Sequence, residues 1–354
     1  VNKKVMMKGS NAIGEAAVQA GCMCYFGYPI TPQNEIPEYM SRRMDEMGRV
    51  FLQGESETAS INMVLGAAAA GARAMTSSSS PGISLKQEGM SFLASLELPA
   101  VIVNINRGGP GLGNIAPSQG DYYQATRGGG HGDYRMPVYA PGTVQELYDL
   151  TMHAFDIADK FRTPVMLLGD GMIGQIVEPI VLNKKTEVEL PPKDYILDGA
   201  DGRPSRIIKS LILDPNEMEE HNWKLKRKYD LMRKKLPQCE EFMTEDAKLT
   251  IIAYGTAARI AKGAVKRVRS EGLQVGLLRP ITLWPFPEEA IKNLAKKSKL
   301  FMVFEMSTGQ MIDDVKLAVG GRVECEFYGR PGGVVPAPQE IARIIERYWI
   351  QKEL

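Results

Sequence analysis

The sequence is poor in the residues from which most metal and nucleophilic sites are built. Four cysteines (Cys22, Cys24, Cys239 and Cys325) and three histidines occur in 354 residues. The cysteine spacing fits neither a disulfide framework nor a zinc site, and it offers no four-cysteine run for an iron–sulfur cluster. Cys22 and Cys24 read instead as small strand residues. So few histidines argue against a His-centred triad or a multi-His metal site, and no metal ligand set is assigned. No apolar run approaches the ~20 residues that span a bilayer. The start of the chain lacks the apolar core of a secretory signal, so a cytoplasmic protein without membrane contact is expected. The formal charge of +1 provides no strong field for nucleic acid or an anionic membrane. Internal repeats and low-complexity tracts are also missing.

What is present is an alternation of short apolar runs with helical patterns, long enough for two domains. The chain is organised around Gln53 to Gly82, QGESETASINMVLGAAAAGARAMTSSSSPG. Ser56 is an N-cap candidate, since its hydroxyl can accept from a free amide of the first turn. Glu57, Ile61, Val64, Leu65 and Ala68 then recur at helical spacing on one face. That face is apolar except at its head. An acid in the first turn is ordinarily explained by the helix dipole, which accounts for Glu55 better than for Glu57. A carboxylate heading a buried stripe needs a partner, and such a group is suited to hold or share a proton. Ala72 to Thr76 reads as a strand running into four serines and a Pro-Gly turn, a polar loop able to surround a ligand.

Before this stretch, a small-residue helix to about Ala20 is followed by a buried strand, Cys22 to Gly27. The strand ends in Tyr28-Pro29-Ile30-Thr31-Pro32. Two prolines bar this loop from helix, making it a rigid mount for the Thr31 hydroxyl, or a cap for the helix over 33–47. Beyond it, Ser84 to Ala94 reads as helix. Leu98 to Asn106 has the near-continuous apolar pattern of a central parallel strand. Arg107 stands at its carboxyl end, where ligands of open α/β sheets bind. A guanidinium there can grip a carboxylate; an arginine solvated in the glycine-rich loop is the plainer alternative. The region 114–133 reads as a polar loop or lid, in which His131 is a candidate contact or a residue without a role. Thr143 to Ala158 is an amphipathic helix and Pro164 to Leu168 a buried strand.

Gly169-Asp170-Gly171 resembles the start of the magnesium–diphosphate motif of thiamine enzymes, but the first asparagine downstream, Asn183, follows too soon. A strand-end turn is expected there instead, with no diphosphate site on this chain. From 191 to 246 prolines and charges replace the alternation, and Trp223 to Leu236 forms a basic helix with Trp223, Leu225, Tyr229 and Met232 as its apolar positions. Strands at Leu249 to Tyr254, Val275 to Leu278, Leu300 to Glu305 and Val323 to Tyr328 alternate with helices to the end of the chain. The expected fold is α/β with two doubly wound domains: 1–190, a charged linker 191–246, and 247–354.

Several motifs occur together in a fixed order: Gly27-Tyr-Pro-Ile-Thr-Pro, Glu55-Ser-Glu57, Ser80-Pro-Gly-Ile-Ser-Leu, Asn106-Arg-Gly-Gly-Pro-Gly, Tyr254-Gly-Thr and Leu278-Arg-Pro-Ile-Thr-Leu-Trp-Pro-Phe-Pro. With them the chain resembles, over essentially its whole length, the α subunit of 2-oxoacid:ferredoxin oxidoreductases. The branched-chain type acting on 3-methyl-2-oxobutanoate is nearest and the 2-oxoglutarate type next. The resemblance implies a pyrimidine-binding thiamine diphosphate domain followed by a transketolase C-terminal-like domain. It implies that a β subunit shares the cofactor and carries the diphosphate and Mg2+. It also implies iron–sulfur clusters on a ferredoxin-like subunit, a γ subunit, ferredoxin as acceptor, and coenzyme A as acyl acceptor. Glu57 would exchange a proton with the aminopyrimidine. Pro29, Ile30, Thr31, Ser79 and Ser80 would line the cofactor. Thr31 and Arg107 would bind the substrate oxygen and carboxylate. The product would be acyl-CoA and CO2. A non-redox thiamine-dependent decarboxylase subunit, an indolepyruvate- or oxalate-type relative, and a noncatalytic binding protein are the competing readings.

Overall fold

A computed structural model describes residues 4–182 and 188–354; Asn183 lies outside the described residues. The first half contains β1 (Lys4–Lys8), β2 (Cys24–Gly27), β3 (Val50–Gln53), β4 (Ala74–Ser78), β5 (Ala100–Asn106), β6 (Val138–Tyr139), β7 (Pro164–Asp170) and β8 (Val177–Val181). The second half contains β9 (Cys239–Phe242), β10 (Leu249–Ile252), β11 (Val275–Pro280), β12 (Thr282–Trp284), β13 (Leu300–Glu305) and β14 (Glu324–Gly329). They form a seven-stranded sheet in the order β12-β6-β7-β5-β4-β2-β3, a five-stranded sheet β14-β13-β10-β11-β9, and a β1–β8 pair. Every residue of β5 and of β7 is buried. This is why their apolar runs are unbroken rather than alternating: helices cover both faces of a parallel strand. No helix among the described residues is long and apolar enough to cross a membrane.

The topology locates a site. β2 pairs in parallel with β3 on one side and with β4 on the other. The chain reverses its direction of growth at that point, and the crevice beyond the carboxyl ends of such strands is where open α/β sheets take ligands.

The charged segment 191–246 is more than the expected linker. Its helix Pro215–Lys235 buries Leu225, Tyr229 and Met232 in a core to which both halves contribute, while Trp223 on the same helix stays exposed. Its last residues form β9, which pairs antiparallel with β11 and edges the second sheet. β9 escapes sequence reading because a four-residue strand carrying two acids lacks the apolar signal of a core strand.

The halves are joined by more than chain continuity. β12 leaves the second half and pairs antiparallel with β6, Thr282 opposite Tyr139 and Trp284 opposite Val138. Arg279 is 6% exposed; its Nη1 and Nη2 donate to Glu146 at 2.9 and 2.6 Å and its Nε to Glu240 at 2.8 Å. Gln119 Nε2 donates to the Tyr254 carbonyl and its Oε1 accepts from the Met306 amide, each at 2.9 Å. Asp170 is the expected strand-end residue. Its carboxylate accepts from Met172 and Ile173 amides at 2.9 and 3.1 Å and meets Thr256 of the second half.

One close approach sets a limit on substitution. Helix Gly9–Gln19 begins so near the neck between β7 and β8 that a Cβ on Gly9 would lie 2.0 Å from the Ile173 carbonyl oxygen. Backbone cannot yield as a side chain can, so Gly9→Ala is expected to cost about 1–3 kcal/mol. A lowered urea midpoint with unchanged secondary structure by circular dichroism is the expected reading; an unchanged midpoint would contradict the packing.

Candidate functional site

The carboxyl ends of β2, β3, β4 and β5 deliver four segments to one crevice: Pro29–Pro32, Ser56–Glu57, Ser79–Ser80 and Arg107. The helix Glu57–Ala69 starts where expected. The Ser56 backbone is extended, and its Oγ accepts from the Ala59 amide at 3.1 Å. Glu57 is 6% exposed, with Ile61, Val64 and Ala68 fully buried below it, and Leu65 half-buried. The stripe is therefore as the spacing predicts, with a carboxylate at the positive end of the helix.

Gly82 explains how that carboxylate is accommodated. A Cβ there would lie 2.7 Å from Glu57 Oε1 and 2.1 Å from Ser78 Oγ. Two turns on, a Cβ at Gly89 would lie 2.5 Å from Ile61 Cγ2. Two glycines thus let helix Pro81–Ser95 lie directly against helix Glu57–Ala69, with Gly82 opposite Glu57 and Gly89 opposite Ile61.

Ser80 is the strained point of the crevice, a non-glycine residue with φ +28°, the kind of conformation that persists where surrounding contacts enforce it. Its amide donates to Asn104 Oδ1 at 3.1 Å, its Oγ donates to Asp121 at 2.7 Å, and the same Oγ accepts from the Arg107 amide at 2.9 Å. Asn104 Nδ2 also donates to Asp121, at 2.9 Å. Burial pushes the Asp121 carboxyl above its ordinary range, opposed in part by these bonds and by the Arg107 charge.

Arg107 is 7% exposed. Its Nη1 donates to the Thr31 carbonyl and its Nη2 to the Leu112 carbonyl, both at 2.9 Å. The guanidinium therefore fixes the Pro29–Pro32 loop against the glycine-rich loop and holds its own plane still. Thr31 and Pro29 are exposed and Ile30 is half-buried, so this loop forms the open rim of the crevice. The 114–133 loop is docked rather than free: Asn114 Nδ2 donates to the Gly332 carbonyl at 2.9 Å, and the Gly129 amide to Gln87 at 2.9 Å. His131 is exposed.

Within this crevice a set of buried polar atoms has no hydrogen-bond partner among the described residues: Ser78 Oγ, Ser79 Oγ, Asn106 Nδ2 and Arg107 Nε. Buried polar groups are nearly always paired, so orphaned hydroxyl, amide and guanidinium groups beside an unblocked carboxylate describe a surface shaped for a polar ligand. They suit the aminopyrimidine of thiamine diphosphate, a flat ring with donor and acceptor nitrogens. A cavity of about 810 Å3 opens elsewhere, lined by Arg135, Arg233, Trp284 and Asp314, and shares no residue with this crevice.

The sequence reading missed Asp121 and Lys86. Lys86 is fully buried, and its Nζ donates to Thr76 Oγ1 at 2.7 Å. A signal for it existed: Ile83, Lys86, Gln87, Met90 and Ala94 share one helical face, so a lysine at that position was bound for the interior.

Comparison with known proteins shows the family. Residues 15–236 match the family described as Pyruvate flavodoxin/ferredoxin oxidoreductase, thiamine diP-bdg, and residues 247–341 match Pyruvate:ferredoxin oxidoreductase core domain II. The chain is 50% identical over 340 residues to a Ketoisovalerate oxidoreductase subunit VorB of Methanothermobacter marburgensis, covering 96% of both chains. It is 36% identical to a 2-oxoglutarate synthase subunit KorA of Methanothermobacter thermautotrophicus, covering 98% of this chain and 99% of that one. It superposes on a 2-oxoglutarate:ferredoxin oxidoreductase from Magnetococcus marinus, solved with 2-oxoglutarate, coenzyme A and succinyl-CoA bound, with a TM-score of 0.87 and 26% identity. The match covers 98% of this chain and 65% of that longer one.

Proposed function

Since the chain belongs to the 2-oxoacid:ferredoxin oxidoreductase family, we propose that its crevice is the pyrimidine half of a thiamine diphosphate site oxidising a branched-chain 2-oxoacid to its acyl-CoA. The observation that carries this reading is the buried Glu57 carboxylate facing Gly82 among the orphaned polar atoms of Ser78, Ser79, Asn106 and Arg107. The preference for 3-methyl-2-oxobutanoate is supported by the 50%-identical ketoisovalerate subunit.

Thiamine diphosphate, when bound, supplies the carbanion chemistry of decarboxylation; the protein supplies placement and proton affinity. Glu57 exchanges a proton with a ring nitrogen through its carboxylate, a role that requires reach first and suitable proton affinity second. The Ile61 and Val64 face excludes water beneath it. Gly82, lacking a Cβ, lets the Glu57 carboxylate lie against its helix and so fixes where that carboxylate stands. Ser79 and Ser80 line the ring's edge, with Ser80 locked by Asp121 and Asn104. Thr31, on the rim, orients the substrate oxygen or the ring amine, and Pro29 and Ile30 flank it. Arg107 receives the substrate carboxylate with the N–H groups its two carbonyl contacts leave over.

The working enzyme is a multi-subunit complex. In our reading it is cytoplasmic, and a β subunit holds the diphosphate and Mg2+, a ferredoxin-like subunit holds the iron–sulfur clusters, and a γ subunit completes it. Ferredoxin and coenzyme A are the other reactants. Residues 1–190 carry the cofactor side and 247–354 the framework.

The test is an acyl-CoA product assay on the co-purified complex across several 2-oxoacids. Highest kcat/KM for 3-methyl-2-oxobutanoate is expected; a complex preferring 2-oxoglutarate would overturn the substrate assignment, and one releasing aldehyde without ferredoxin reduction would overturn the reaction. Arg107→Ala in the same assay is expected to raise KM at least about 10-fold, the scale of a lost hydrogen bond to a charged group. An unchanged KM would leave Arg107 as a loop clamp only.

A further inference from the structure

Lys86 has no part in the reading above, yet it is among the largest fully buried side chains of the molecule. A lysine is almost never fully buried unless paired, and no carboxylate among the described residues forms an ion pair with it at contact distance. Its ammonium has one neutral acceptor, Thr76 Oγ1 at 2.7 Å.

Its place is defined by the helix packing. Lys86 follows Gly82 by four residues and precedes Gly89 by three, so it shares their face. Gly82 meets Glu57 and Gly89 meets Ile61. The lysine therefore enters the interior between the two points where the helices touch, within electrostatic reach of Glu57. The other groups packed around it bring little charge. Glu57 is the one ionisable residue of helix Glu57–Ala69, β4 brings hydroxyls, and β5 has no ionisable side chain. β7 ends in Asp170, which is held by the Met172 and Ile173 amides. On its own helix Glu88 is exposed.

We propose that Lys86 is a positioning residue for the Glu57 proton: its buried amine, tethered to Thr76, sets how tightly Glu57 holds a proton when the cofactor ring arrives. The inference rests on the reading of Glu57 given above. A cation near a carboxylate in a poorly solvated site favours the ionised acid. An ammonium there favours a carboxylate able to receive a proton, and loss of that charge favours the acid. Desolvation brings Lys86 down to about 7, with the Glu57 charge opposing the fall. A lysine so placed loses its charge nearer neutral pH than an ordinary surface lysine does. The two groups can hold one proton between them, on nitrogen or on oxygen, at the same net charge.

The experiment is a pH titration of the near-ultraviolet circular dichroism of thiamine diphosphate bound to the complete complex, with wild type, Lys86→Met, Thr76→Val and Glu57→Gln. Methionine keeps the stem and removes the charge. Its titration midpoint is expected to rise by about half a pH unit or more, roughly a threefold change in proton affinity, with cofactor content unchanged. Thr76→Val removes the acceptor that favours the charged amine and is expected to shift the midpoint the same way by less. If Lys86→Met does not assemble, the valine variant decides on the same criterion. A midpoint equal to that of wild type would make Lys86 a space-filling residue and overturn the inference. Glu57→Gln separates the two levels. Loss of the titration there with no shift in Lys86→Met refutes the role of Lys86 alone, whereas a titration persisting in Glu57→Gln refutes the role of Glu57 itself.

Discussion

Glu57→Gln in the assembled complex is expected to lower turnover by about 10^2- to 10^4-fold, the usual contribution of a positioned acid–base group. The substitution is nearly isosteric. Ser56 still caps the helix through the Ala59 amide, and Ile61, Val64 and Ala68 still hold it against the sheet. What changes is the titrating oxygen. An amide in the same place can hydrogen-bond the ring but cannot take up or deliver a proton at neutral pH. The loss should therefore fall on kcat, with cofactor content and complex assembly retained. Turnover within a few-fold of wild type, measured by ferredoxin or dye reduction, would refute the assignment.

Gly82→Ala carries the second large effect, through geometry instead of chemistry. Its new methyl group would sit 2.1 Å from Ser78 Oγ and 2.7 Å from Glu57 Oε1. Both are free ends of side chains, so the fold can absorb the methyl by turning them away. The carboxylate then leaves the place where the ring is to meet it. Displacements of about 1 Å at a reacting group can cost about 10^2-fold. An assembled complex of near-normal thermal stability with turnover reduced on that scale is the expected result. The contrast is with Gly9→Ala, where the obstacle is backbone and stability itself suffers. Should Gly82→Ala retain full activity, the position that Gly82 gives the Glu57 carboxylate is not one the reaction depends on.

The elements read correctly from sequence are those whose signal is local. Continuous burial of β5 and β7 follows from their unbroken apolar runs. The Ser56 cap and the Glu57 stripe follow from spacing over a few residues, and the whole family assignment follows from short motifs in order. The elements not read are those defined by a distant partner. β3 is four largely exposed residues at a sheet edge. β6 has two residues, and β12 has three. β9 carries two glutamates, and the partners of one of them, Glu240, are Lys262 and Arg279, far along the chain. The same holds in the crevice. Glu57, Thr31 and Arg107 announce themselves by context, each at a strand end or helix start. Asp121 lies in a glycine-rich loop, and only the fold brings it to Ser80 and Asn104. Lys86 was legible only through its place on the Ile83, Met90 and Ala94 face, and its tether to Thr76 appears only in the fold.

The strand Thr282–Trp284 bears on how the molecule is made. The sheet that carries the crevice is completed by residues translated long after its other members. During synthesis, the nascent first half exposes the backbone edge at Val138–Tyr139 until the ribosome has passed Trp284, and bare strand edges invite pairing with other chains. Separate expression of the first half would therefore yield a sticky intermediate rather than a minimal cofactor-binding module. The two halves should also melt as a single cooperative body, because neither can open without unpicking β12 from β6 and Arg279 from Glu146.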